Sequence, residues 1–160
     1  MRRPLQLIKL AQLQTLYLNG NSLTGSVPPQ LSKLAKLQLL ALRSNSLTDS
    51  MPPQLGKLAQ LQTLDLSYNQ LEGPIPESIG TCISLKELKL QNNQLSGAIP
   101  ESIGACTELK TYILVCCKLP FSLTVSFLRK IREGTRDLRL QRIPFQLVLQ
   151  IFQAQHFARW

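Results

Sequence analysis

The chain has a single histidine, a single tryptophan and an aromatic share of only 6%. His156 lies near the C-terminal end with no Cys, Asp or Glu pattern around it. It therefore makes neither a metal set nor a triad base. The four cysteines include no C-x-x-C pair, which removes the usual thiolate metal spacing. The glycines are spaced turn by turn and never clustered, so no phosphate-cradling loop is present. No apolar run reaches 18 residues, so no segment reads as a membrane-spanning helix. The start, Met1-Arg2-Arg3-Pro4, has the charge of a signal peptide without its apolar middle or cleavage site. There is no N-x-S/T sequon; Asn21-Ser22-Leu23 and Asn45-Ser46-Leu47 both fail at the third position. Acidic residues are scarce too, 9 against 18 Lys and Arg. The excess is uneven. Residues 120–160 carry 7 basic and 2 acidic residues, so the basic balance is largely a property of the tail.

What the chain has in abundance is leucine at a fixed step. Leu13-x-x-Leu16-x-Leu18-x-x-Asn21-x-Leu23 recurs every 24 residues, from Leu37, Leu61 and Leu85. A fifth copy from Leu109 is degenerate. One such unit cannot bury its own apolar face, so the copies must stack. Leu16 and Leu18 alternate with outward residues, which is the period of a strand. Leu13 and Leu23 are expected to turn inward at the bends. Asn21, Asn45, Asn69 and Asn93 form a column whose amides can both donate and accept. Such a column suits a structural ladder where each strand turns away. The segments after it, such as Leu23-Thr24-Gly25-Ser26-Val27-Pro28, place Gly or Asp49 at a turn and Pro before a short helical or 3₁₀ piece. Cys82 and Cys106 stand in the column of Leu34 and Leu58 and read as free, buried thiols.

The combined pattern L-x-x-L-x-L-x-x-N-x-L-[TSE]-G-x-[IV]-P resembles the plant-type leucine-rich repeat. That family includes ectodomains of receptor-like kinases, receptor-like proteins and inhibitors of cell-wall polygalacturonases. The resemblance implies an α/β repeat, a right-handed solenoid. Its parallel β-sheet would line the concave face, with short 3₁₀ or helical turns on the convex face. It spans a solenoid at 1–119: a partial repeat at 1–12, full repeats from 13, 37, 61 and 85, and the degenerate one from 109. Paired-cysteine caps and a kinase segment, both found in the family, do not occur. The chain is expected to start inside a repeat of a longer parent, or to use residues 1–12 as a makeshift cap. Residues 120–160 leave the register and read either as a C-terminal cap or as sequence from a shifted frame. The compartment expected from the residues as written is cytoplasmic. It becomes the cell surface or the exterior if the parent is receptor-like.

The expected function is non-catalytic binding of a protein or peptide, with no cofactor and no metal. A detached piece of a receptor-like protein or kinase and a hydrolase inhibitor are the alternatives. The expected site is the concave face. Its outward residues fall in columns: Thr15, Leu39, Thr63 and Glu87; Tyr17, Ala41, Asp65 and Lys89; Asn19, Arg43, Ser67 and Gln91; with Tyr68 beside them. These columns vary while the core columns hold leucine, and the mix of aromatic and charged groups suits an interface. Five strands by five residues project to roughly 320 Å², against ~800 Å² per partner for a standard interface. Tight binding would then need more repeats, an oligomer or the tail. The tail's Arg129, Lys130, Arg132, Arg136, Arg139 and Arg142 could meet nucleic acid or acidic lipid. A solvated face is the favoured reading of them, because no aromatic residues interleave.

Overall fold

A computed structural model describes residues 10–113, with side chains placed for 10–110. The tail expected at 120–160, the ladder break expected at Cys117 and the half-repeat before Leu10 lie outside the described residues.

The 24-residue period becomes one coil of chain per repeat. Strands β1 (Thr15–Tyr17), β3 (Leu39–Ala41), β5 (Thr63–Asp65), β7 (Glu87–Lys89) and β9 (Thr111–Ile113) form a parallel sheet in that order. Thr15 pairs with Leu39, Leu39 with Thr63, and Thr63 with Glu87, so the register equals the sequence period. Four 3₁₀ turns lie on the opposite side, at Pro29–Lys33, Pro53–Lys57, Glu77–Thr81 and Glu101–Ala105. Each begins after an extended proline at 28, 52, 76 or 100. Proline's fixed φ sets the entry to each turn, and in the first two turns the leading Pro29 and Pro53 also lack an N–H that would otherwise be orphaned. Residues 10–113 thus form the expected solenoid of parallel strands and short 3₁₀ turns.

The core runs between the two sides. Leu64, Leu66 and Leu71 from one layer, and Leu88, Leu90 and Leu95 from the next, are fully buried. Leu55, Ile79 and Ile103 come down from the 3₁₀ turns to meet them. Each buried leucine contributes on the order of 1.5–3 kcal/mol. The first layer departs from expectation. Leu18 and Leu23, expected inward, are 37% and 36% exposed, and Leu10 is 44% exposed. Among the described residues this layer has a neighbour on one side only, so its leucines are half-covered.

The asparagine column binds each layer to the one before it. Asn69 Nδ2 donates to the carbonyls of Leu66 (3.1 Å) and, one layer back, Leu42 (3.0 Å). Its Oδ1 accepts from Leu47 N–H at 3.1 Å. Asn93 repeats the arrangement with Leu90, Leu66 and Leu71, and Asn45 with Leu42, Leu18 and Leu23. Among the described residues, Asn21 makes only the local bonds, to Leu18 and Asn19.

A second, smaller ladder was not apparent from the repeat pattern. Strands β2 (Thr24–Ser26) and β4 (Ser46–Thr48) pair in parallel, as do β6 (Glu72–Pro74) and β8 (Gln94–Ser96). The column Gly25, Asp49, Gly73 and Gly97, all with positive φ, lies within β2 and β6 and directly after β4 and β8. Asp49 takes this left-handed position at φ 63°, a conformation a short polar side chain tolerates.

On the outer side the layers approach closely at two glycines. A Cβ added at Gly56 would overlap the Ser78 carbonyl oxygen and lie 2.8 Å from its carbon; one at Gly80 would overlap Ser102 in the same way. Ser78 Oγ donates to Pro53 O (2.6 Å) and Thr81 Oγ1 to Gly56 O (2.5 Å) across that contact.

Candidate interaction face

Alternation along β1, β3, β5 and β7 puts every second side chain outside the core. Register then sets these residues side by side across strands: Tyr17 next to Ala41, Ala41 next to Asp65, and Asp65 next to Lys89. Tyr17 is the most open of them, 63% exposed. Thr15 is exposed, and Leu39, Thr63, Asp65, Glu87 and Lys89 are half-buried. Glu87 and Lys89, two residues apart on one strand, form an ion pair at 2.9 Å. Exposed pairs of this kind stabilise little, so both groups stay available for exchange with a ligand. Lys86 Nζ donates to Gln62 Oε1 (3.1 Å), joining adjacent layers at the edge of the sheet.

The Arg43 guanidinium lies over the Tyr68 ring, 5.0 Å from its centroid. Tyr68 reaches this place from a left-handed backbone position, φ 56°, in the column of Gly20, Ser44 and Asn92. An aromatic residue there is strained by order 1 kcal/mol or more. The ring nevertheless stays exposed, held beneath a cation.

Several expected outward residues are not free. Ala41 is buried, because its methyl is small and its register neighbours Tyr17 and Asp65 are larger. Ser67 is fully buried; its hydroxyl donates to Asp65 Oδ1 at 2.5 Å, and its N–H donates to the same oxygen at 3.1 Å. Asp65 therefore divides its carboxylate between the face and the turn. Asn19 is exposed, yet its Oδ1 accepts from Arg43 N–H at 2.9 Å. Gln91 is half-buried with its Oε1 buried. In the third column, then, Ser67 is held by the Asp65 carboxylate and Asn19 by the Arg43 backbone, and the exposed Arg43 carries its charge.

Away from this face, Cys82 and Cys106 are free and buried in adjacent layers. Burial pushes the Cys82 thiol up to about 11, and the neighbouring Cys106 adds to this; burial also raises Cys106. Both stay protonated and unreactive near neutral pH.

The geometry agrees with known proteins. Leucine-rich-repeat family models match residues 11–71 and 84–106. Comparison with curated proteins finds no match. Among solved structures, the ectodomain of the Arabidopsis thaliana receptor kinase GASSHO1/SCHENGEN3, in complex with CASPARIAN STRIP INTEGRITY FACTOR 2, is 38% identical with a TM-score of 0.67. The match covers 68% of this chain and 13% of that one. The Arabidopsis receptor kinase HAESA, in complex with the peptide hormone IDA and the co-receptor SERK1, is 38% identical with a TM-score of 0.64. There the match covers 72% of this chain and 20% of that one. A plant ice-binding protein is 36% identical with a TM-score of 0.67, covering 72% of this chain and 38% of that one. This chain therefore spans well under half the length of each of these relatives. Period, register and relatives agree: the chain belongs to the leucine-rich-repeat family, with repeats of the plant receptor-kinase ectodomain type.

Proposed function

We propose that this chain is a non-catalytic interaction module that binds a peptide or protein segment on the face of its five-stranded sheet. The observation that carries the reading is the contrast between columns. Core positions hold leucine layer after layer, while the outward positions between them present Tyr17, Arg43 over Tyr68, Asp65, and the Glu87–Lys89 pair. A rigid sheet holding aromatic and charged groups in fixed register is suited to an extended chain laid across the strands. Aromatic and arginine anchors are where binding energy concentrates. The receptor ectodomains similar to this chain were solved with peptide or protein ligands, which supports the same use here.

The test is selection of peptides from a display library on the intact chain, followed by affinity measurement with variants. Tyr17→Ala, Arg43→Ala and Glu87→Ala are expected to weaken a selected peptide by about tenfold or more, with unchanged melting curves. Equal losses from Lys33→Ala or Lys57→Ala, on the opposite side, would refute the assignment of the face.

A further inference from the structure

The outer ridge of 3₁₀ turns is divided by charge. Among residues 10–61 there are four basic residues (Lys33, Lys36, Arg43 and Lys57) and one acidic (Asp49). Among residues 62–113 there are three basic and six acidic. The two halves therefore carry +3 and −3. On the 3₁₀ turns Lys33 and Lys57 are exposed in the first two layers and Glu77 in the third; in the bends that follow the turns, Lys36 is exposed in the first layer and Glu108 in the fourth. A column of apolar residues follows the turns: Ala35, Ala59 and then Ile83. Ile83 is 60% exposed, so it stands as an apolar knob beside two layers that carry only a methyl group at the same place.

We propose that this ridge is the contact surface for a second copy of the chain, packed antiparallel. A two-fold axis lying in the contact and running along the 3₁₀ turns places each column on itself with its layers reversed. The first layer then meets the fourth, and the second meets the third. Lys36 and Glu108 occupy one column, on the first and fourth layers, so Lys36 faces the partner's Glu108, twice across the axis. Ile83 and Ala59 share another column, on the third and second layers, so each Ile83 sits over the partner's Ala59. Lys57 lies one turn from the partner's Glu77. A parallel arrangement would set lysine on lysine and knob on knob, so the charge order selects the antiparallel one. This surface runs along the 3₁₀ turns and the bends after them, and uses none of the outward residues of the sheet.

Sedimentation equilibrium of the full chain, from micromolar to millimolar, tests the proposal. A monomer–dimer equilibrium that weakens with added salt is expected. Lys36→Glu alone and Glu108→Lys alone should each weaken dimerisation by about tenfold. The double variant Lys36→Glu/Glu108→Lys should restore it, because the exchanged charges again face each other. Ile83→Ser should weaken it as well, and circular dichroism melts confirm that each variant is folded. A chain monomeric throughout, a dimer indifferent to the single reversals, or a double variant that stays weak would overturn it.

Discussion

Replacing Gly56 by alanine tests the layer packing more sharply than any core substitution. The added Cβ overlaps the carbonyl oxygen of Ser78, which is backbone and has no rotamer to yield. The layers must separate there. Overpacking of this kind costs about 1–3 kcal/mol. Separation also stretches the bonds Ser78 Oγ to Pro53 O and Thr81 Oγ1 to Gly56 O, worth about 0.5–1.5 kcal/mol each. Against this, alanine restricts the unfolded chain and returns about 0.4–1 kcal/mol. The net expectation is a loss near 3 kcal/mol. Gly104, in the same column, is exposed, with nothing among the described residues within 4 Å of an added Cβ and no positive φ. Gly104→Ala should therefore show only the small gain. Urea unfolding followed by circular dichroism gives both values as shifts in midpoint at constant slope. If Gly56→Ala proves neutral, or both variants shift alike, the close approach of the second and third 3₁₀ turns is refuted.

Two further outcomes follow from the core. Asn69→Ala orphans the Leu47 N–H and removes a donor from two layers of carbonyls. At about 1–3 kcal/mol per stranded group, it should cost several kcal/mol in chemical unfolding. Asn21→Ala removes two exposed local bonds and should cost less than about 1 kcal/mol; similar losses at both positions would contradict the inter-layer role. The buried thiols predict alkaline sensitivity. Cys82 is raised from 9.0 to about 11 in the fold, so the unfolded thiol ionises first and stability declines as pH rises from 9 through 11. Below pH 9 the thiol is neutral in both states and contributes no slope. Peptide mapping after alkylation at neutral pH should find Cys82 and Cys106 protected until denaturant is added; rapid native labelling would contradict their burial.

The period made most of the fold legible, for a physical reason. Contacts between layers join identical columns, so whatever the core demands is written 24 residues apart and repeated. Leu40, Leu64 and Leu88 are neighbours in space because they are equivalents in the chain. The face was less legible, since burial there depends on neighbours of unlike size. Ala41 is buried by Tyr17 and Asp65, and no rule of alternation reports that. Ser67 turns toward the Asp65 carboxylate and Asn19 toward the Arg43 N–H because a short polar side chain finds a near partner before it meets solvent. The second ladder is not legible in the sequence because its strands are three residues long and include Gly25 and Gly73, residues that strand propensity disfavours. Its pairing follows from coils already stacked, not from any preference of its own residues. Gly56 and Gly80 were visible as glycines, but their purpose lies in a backbone 22 residues further on.

The reach of each asparagine has a consequence for how the chain comes apart. Among the described residues the rungs at Asn45, Asn69 and Asn93 are each fastened to the one before and to nothing more distant, so these coils behave as a one-dimensional array of coupled units. Loss of a terminal coil removes one set of couplings and leaves the next intact. A coil can melt from the end without a signal crossing the interior, and a pull on one end is borne rung by rung, as a zipper bears it. The middle coils, fastened on both sides through Asn69 and Asn93, are then the last to open, and any surface that must stay ordered under load is best carried there.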